Sequence, residues 1–220
     1  MMTTNKLTKT FASGSLAIGV LAGSVFAATS ASAANILTWG QWTTLDPITG
    51  TYSNVLTAGD KKVTFVSENG FGADPLDEVA LLLTGDEYDF VYDATTLGSP
   101  GANMNSGSFT YTIEVTDPNQ YITAVALDSD VTATYGTVTK TFAEIPNVLV
   151  SVNGSSDPAI GFYPIAPIKK LTVTDTLAAN PGEGLFSLNN AYKQTPEPGT
   201  ILGLLAVGGL GMVSRFKKQK

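Results

Sequence analysis

Between Asn35 and Gln194 the apolar residues recur at every second position in short runs, which is the pattern of half-buried β-strands and not of helices. From Ser108 to Thr116, Phe109, Tyr111, Ile113 and Val115 fall on one face, and Thr110, Thr112, Glu114 and Thr116 fall on the other. A strand with one apolar and one polar face belongs in an antiparallel sheet that keeps one side in water. The same reading covers 36–43, 61–67, 78–83, 88–92, 121–127, 137–142, 148–153, 171–176 and 184–188. Turn formers separate these runs: Ser99-Pro100-Gly101, Asp117-Pro118-Asn119, Asn153-Gly154-Ser155 and Asn180-Pro181-Gly182-Glu183-Gly184. Roughly eight to ten short strands rich in Thr, Val, Tyr and Phe predict an all-β antiparallel sandwich, with a jelly roll as one version of it. Asp74 to Leu83 is open to two readings, a strand or a short helix with Pro75 in its first turn and acidic residues at its start. No repeat of 20 to 50 residues is present.

Both ends depart from this alternation. The first 33 residues carry Lys6 and Lys9, an apolar run from about Phe11 to Ala28, and Ala31-Ser32-Ala33. Together they predict a secretory signal peptide forming a short helix, cut by signal peptidase after Ala33. The alternative is an uncleaved anchor, against which Ser13, Gly14, Ser15 and Ser24 dilute the apolar run.

At the other end Pro196-Glu197-Pro198 precedes an apolar, glycine-rich stretch from Ile201 to Val213, and Arg215, Lys217, Lys218 and Lys220 follow it. The prolines hold the motif extended, the form in which a protease can grip a main chain. A helix over the 17 residues 200–216 is roughly 26 Å long at ~1.5 Å per residue, at the lower limit for a hydrocarbon core of ~30 Å. The basic cluster is a stop that should stay cytoplasmic, which places Pro196 and all before it on the exported side. Gly203, Gly208, Gly209 and Gly211 leave a smooth face for contact with another membrane protein. The chain therefore divides into a signal peptide (1–33), an exported β-domain (34–194) and a tail (195–220) that serves as a membrane anchor before processing.

From Thr195 to Gly211 the tail resembles the PEP-CTERM sorting signal, particularly its cyanobacterial form. The resemblance spans about the last 26 residues and implies recognition and cutting near Pro196-Glu197-Pro198 by an exosortase, an integral-membrane cysteine protease. It implies delivery to the cell surface or an extracellular polymer matrix, and says nothing of what the β-domain does there. A plain C-terminal anchor without processing is the competing expectation.

Charge narrows the partners. Of 12 basic and 19 acidic side chains, six basic and 18 acidic lie between Ala34 and Gln194, so the domain is strongly anionic and unsuited to nucleic acid. The absence of Cys and His removes zinc sites of the usual kind, Ser-His-Asp and Cys-His nucleophiles, and imidazole bases.

Three kinds of site are left to weigh. Asp86, Glu87, Asp89 and Asp93, with Asp74, Asp77 and Glu78 upstream and Asp128 and Asp130 as a smaller group, are candidate calcium ligands, since calcium takes hard oxygens. Their alternative is to be solvated charges that keep an exported sandwich soluble. Trp39 and Trp42 are candidates for a sugar platform beside Tyr52, Tyr88, Tyr92 or Tyr163, although their odd spacing lets only one of them face outward from a regular strand. A carboxylate-pair hydrolase needs no His, but no pair stands out among 18 carboxylates. The expectation is a non-enzymatic surface or matrix protein of structural or adhesive type. A carbohydrate- or calcium-binding module in an exopolysaccharide matrix is the alternative.

Overall fold

Twelve strands form among the described residues, ten of them overlapping the alternating runs. The structure is a computed structural model that describes residues 34–47, 49, 50, 52, 54–95 and 101–196. The strands are β1 (Ala34–Thr38), β2 (Leu56–Ala58), β3 (Lys61–Asn69), β4 (Glu78–Thr84), β5 (Glu87–Asp93), β6 (Gly107–Val115), β7 (Gln120–Val131), β8 (Gly136–Phe142), β9 (Val148–Val152), β10 (Tyr163–Ile168), β11 (Lys170–Ala179) and β12 (Leu185–Pro196). They make two six-stranded antiparallel sheets, β1-β4-β5-β12-β7-β10 and β2-β3-β6-β11-β8-β9. The two sheets pack as a β-sandwich, with more strands than the roughly eight of a jelly roll. The signal segment with Ala31 and Ala33, Glu197, Pro198, the apolar tail and Arg215, Lys217, Lys218 and Lys220 lie outside the described residues. Among the described residues no helix is long and apolar enough to cross a membrane.

β6 buries Phe109, Tyr111, Ile113 and Val115 and is paired on both sides, by β3 and β11. β7 shows where simple alternation fails. Its inward residues are Ile122, Val125 and Leu127, and an extra residue enters where the pairing moves from Lys193↔Ala124 to Gln194↔Ile122. Such a bulge re-aims the strand and leaves the hydrophobic face continuous. Asp74 to Leu83 resolves as a turn, with the Asp77 amide donating to the Asp74 carbonyl at 2.9 Å, followed by β4.

The segment expected to run as one strand from Ile36 to Thr43 instead ends at Thr38 and becomes a one-turn helix, α1 (Trp39–Trp42). A reciprocal cap ends the strand. The Thr38 hydroxyl accepts from the Gln41 amide at 3.2 Å, and the Gln41 side chain accepts from the Thr38 amide at 2.9 Å. Gly40 lets this turn lie on the 74–77 loop, because a Cβ there would meet the Pro75 carbonyl oxygen at 3.0 Å. The core between the sheets is strongly aromatic, with Trp39, Trp42, Phe65, Phe71, Phe90, Tyr92, Phe109 and Tyr111 in ring contact.

Edge strand β9 is closed by side chains. The outward Val150 amide donates to Asp157 Oδ2 at 2.6 Å and the Val152 amide to Ser155 Oγ at 2.9 Å, so these ladder donors are not free for another chain. Asn153-Gly154 turns the chain there with φ of 49° and 80°, the left-handed pair that an Asn-Gly turn adopts. Pro164 and Pro167 remove amides from β10, the edge strand of the other sheet.

Candidate functional sites

The tail leaves from the interior of a sheet. β12 lies between β5 and β7, and its pairing with β7 continues through Thr195↔Tyr121 to Pro196↔Gln120, the first residue of the sorting motif. Its pairing with β5 ends at Lys193↔Glu87, after which the Gln194 amide donates to the Asp86 carbonyl at 3.1 Å. Two lysines fix this exit. Lys61 Nζ, closed to solvent, donates to Gln194 Oε1 and to Asp60 Oδ1, and sits 4.0 Å above the Tyr88 ring, whose hydroxyl donates to Asp60 Oδ1 at 2.6 Å. Burial holds the Lys61 amine below the usual lysine range, partly offset by the Asp60 carboxylate. Lys169 Nζ donates to the carbonyls of Asp117, Pro118 and Gln120 and lies 3.9 Å over the Tyr121 ring, fixing the turn that faces Pro196.

The acidic side chains do not converge. Asp86 is in the β4–β5 turn, and Glu87, Asp89 and Asp93 lie along β5, where alternate residues are about 7 Å apart, far beyond a shared shell of ~2.3–2.6 Å contacts. Among the described residues no three acidic side chains form a group able to hold a metal. Several act instead as internal acceptors. Asp93 Oδ1 takes the Thr95 amide and hydroxyl, both at 2.7 Å, Asp77 Oδ2 takes the Tyr92 hydroxyl at 2.5 Å, and Asp128 Oδ1 takes the Ser156 hydroxyl at 2.9 Å. Desolvation raises the pKa of Asp77, Glu87, Asp89 and Asp128, with the Asp89 charge adding to the shift of Glu87. Chelation with EDTA followed by excess calcium should therefore leave the thermal midpoint unchanged within about 1 °C. A rise in the midpoint on adding calcium would restore the metal reading.

Trp39 and Trp42 do not reach the surface. Both are in the core, at 3% and 0% exposure, so neither is a sugar platform. The three-residue spacing that would split them across a strand puts them on one face of a helix turn, and that face is inward. Tyr88 and Tyr92 are buried as well; Tyr163 is exposed, with its hydroxyl on Asp157 at 3.0 Å.

A polar cluster that sequence reading missed lies in the middle of the sandwich. Lys140 of β8, Asp175 of β11 and Asn190 of β12 are each 0% exposed. Lys140 and Asp175 are direct partners in the β8–β11 ladder, and Asn190 faces them from the other sheet, its Nδ2 donating to Asp175 Oδ2 at 2.9 Å. Lys140 Nζ crosses the core to the Ala126 carbonyl at 3.0 Å and lies 4.3 Å from the centroid of the Tyr192 ring. The Tyr192 and Tyr111 hydroxyls meet beside the cluster at 2.5 Å. Asp175 Oδ1 and Asn190 Oδ1 have no hydrogen-bond partner. Burial lowers the Lys140 amine to about 7 and raises the Asp175 carboxyl to about 7, each partly countered by the other's charge. One signal of this cluster was legible. Lys140 interrupts Val138 and Phe142, Asp175 interrupts Val173 and Leu177, and Asn190 interrupts Leu188 and Tyr192, a polar residue each time at an inward position.

An anionic β-sandwich whose last strand runs into Pro196 defines a folded cargo continuous with a C-terminal tail. Residues 194–218 match the PEP-CTERM protein-sorting motif. That motif marks an exported protein, held transiently at the membrane by its tail and sorted by an exosortase. Neither a curated protein nor a solved structure matches the chain.

Proposed function

We propose that the protein is a non-enzymatic structural or adhesive component of the cell surface or of an extracellular polysaccharide matrix, with the sandwich as the delivered part. The continuity of β12 with the sorting motif carries this reading: the strand that leads into the tail is an interior strand of the sheet up to Lys193. A cut close to Pro196 leaves every other strand and almost all of β12 in place, so the domain is released whole. The closed edge of β9 and the excess of acidic side chains support a discrete, soluble unit over one that polymerises by strand addition.

Fractionation of the producing cells, with intact mass of the mature species, tests it. The expected product starts at Ala34, ends near Pro196 and co-sediments with the polysaccharide fraction. Replacing Pro196, Glu197 and Pro198 together by alanine should leave Arg215 to Lys220 attached and the protein in the membrane fraction. A mature form that keeps those basic residues in the unaltered chain, or that never associates with surface or matrix, would refute the reading.

A further inference from the structure

Lys140, Asp175 and Asn190 form a set that a folding core does not need. Taking an ammonium and a carboxylate out of water is costly unless they are well paired and fully hydrogen-bonded. Here the pairing is incomplete, since one oxygen each of Asp175 and Asn190 is unpartnered and no ion pair forms between Lys140 and Asp175. The residue types are those of a condensation: an amine, a carboxamide, and a carboxyl hydrogen-bonded to the carboxamide nitrogen.

Position agrees with chemistry. The carbonyl that Lys140 Nζ reaches belongs to Ala126, the register partner of Ala191, and the ring beneath Nζ is Tyr192, so the amine stands over the stretch of β12 that carries Asn190. We propose that Lys140 and Asn190 are joined by an intramolecular amide bond, formed once the two sheets close, with Asp175 as the proton carrier.

The neutral Lys140 amine adds to Asn190 Cγ, forming a C–N bond. The Asn190 oxygen takes up the negative charge, stabilised by the proton held on Asp175. Asp175 then accepts a proton from Nζ and passes one to Nδ2, the Cγ–Nδ2 bond breaks, and ammonia leaves. An amine and a primary amide become a secondary amide and ammonia, with no change of oxidation state and with Asp175 returned to its starting form. Burial favours each step: it keeps part of the amine unprotonated near neutrality, keeps a proton on Asp175, and excludes the water that would compete. The product ties β8 of one sheet to β12 of the other, locking in the strand that bears the sorting tail.

The test is peptide mapping by mass spectrometry of the folded full-length chain. The expected result is one branched peptide containing Lys140 and Asn190, lighter by one ammonia than its two linear parts together. Asp175→Asn, close in shape, should abolish the branch while circular dichroism still reports a folded sheet. Lys140→Met, which replaces a buried amine by an apolar chain of similar length, should also give linear peptides only. Lys140 and Asn190 recovered in separate, unmodified peptides from the folded parent chain would overturn the proposal. So would an ammonia deficit confined to a linear peptide, or a deficit of water with Lys140 joined to Asp175. A branch that persists in Asp175→Asn would overturn the role given to Asp175.

Discussion

Trp42→Ala should destabilise the domain by about 3–5 kcal/mol, the usual cost of emptying a large aromatic site in a packed core. Trp42 is 0% exposed, with ring centroids 5.5 Å from Trp39, 5.2 Å from Phe65, 5.1 Å from Phe90 and 6.5 Å from Tyr111. At about 2–4 °C per kcal/mol for a chain of this size, the thermal midpoint should fall by roughly 10 °C. Trp42→Phe should cost much less than the alanine change, because the indole Nε1 has no hydrogen-bond partner to lose. Melts followed by circular dichroism decide the matter. A surface platform would tolerate Trp42→Ala with little loss of stability, and that outcome would return the residue to the ligand-binding reading.

Mild acid should stabilise this protein. Asp77, Glu87, Asp89, Asp128 and Asp175 all have pKa values raised in the folded state, with desolvation the first cause in each. A raised carboxyl binds its proton more tightly folded than unfolded, so its contribution is complete below the unfolded value near 3.8–4.5 and is lost as pH rises through the folded value. For Asp175 that window extends up to about 7. Lys140, once joined to Asn190, has no amine left to titrate, and a free amine there would oppose the trend only above about 7. Lowering the pH also reduces repulsion among the 18 carboxylates of the domain. The melting midpoint should therefore be several degrees higher at pH 5 than at pH 8. A midpoint that falls between pH 8 and pH 5 would show that these carboxyls are stabilised as anions. Asp175→Asn should flatten the upper part of the profile.

Strands that alternate cleanly were legible from the sequence: β6, with four apolar residues on one face, is the clearest. Three features hid the rest. α1 looks like strand in the sequence because a one-turn helix is too short to display a period, and its determinant is the Thr38–Gln41 cap, a local hydrogen-bond choice that overrides the extended run. The alternation that marks β12 stops at Leu188 because Asn190 breaks the apolar face. β2 and β10 leave no strand signal because one is three residues long and the other carries two prolines on an edge. The sorting motif was legible because it depends on residue order along the chain. The Lys140–Asp175–Asn190 cluster depends on which strands become neighbours across two sheets, and nothing local encodes β8, β11 and β12 meeting.

β12 also bears on mechanics. While the tail is held in the bilayer, any drag on the domain is transmitted along this strand, parallel to its axis. The ladder bonds to β5 and β7 run perpendicular to that pull, so they are sheared together, whereas an edge strand pulled sideways would lose them one at a time. A domain tethered in this way resists extraction from its own anchor.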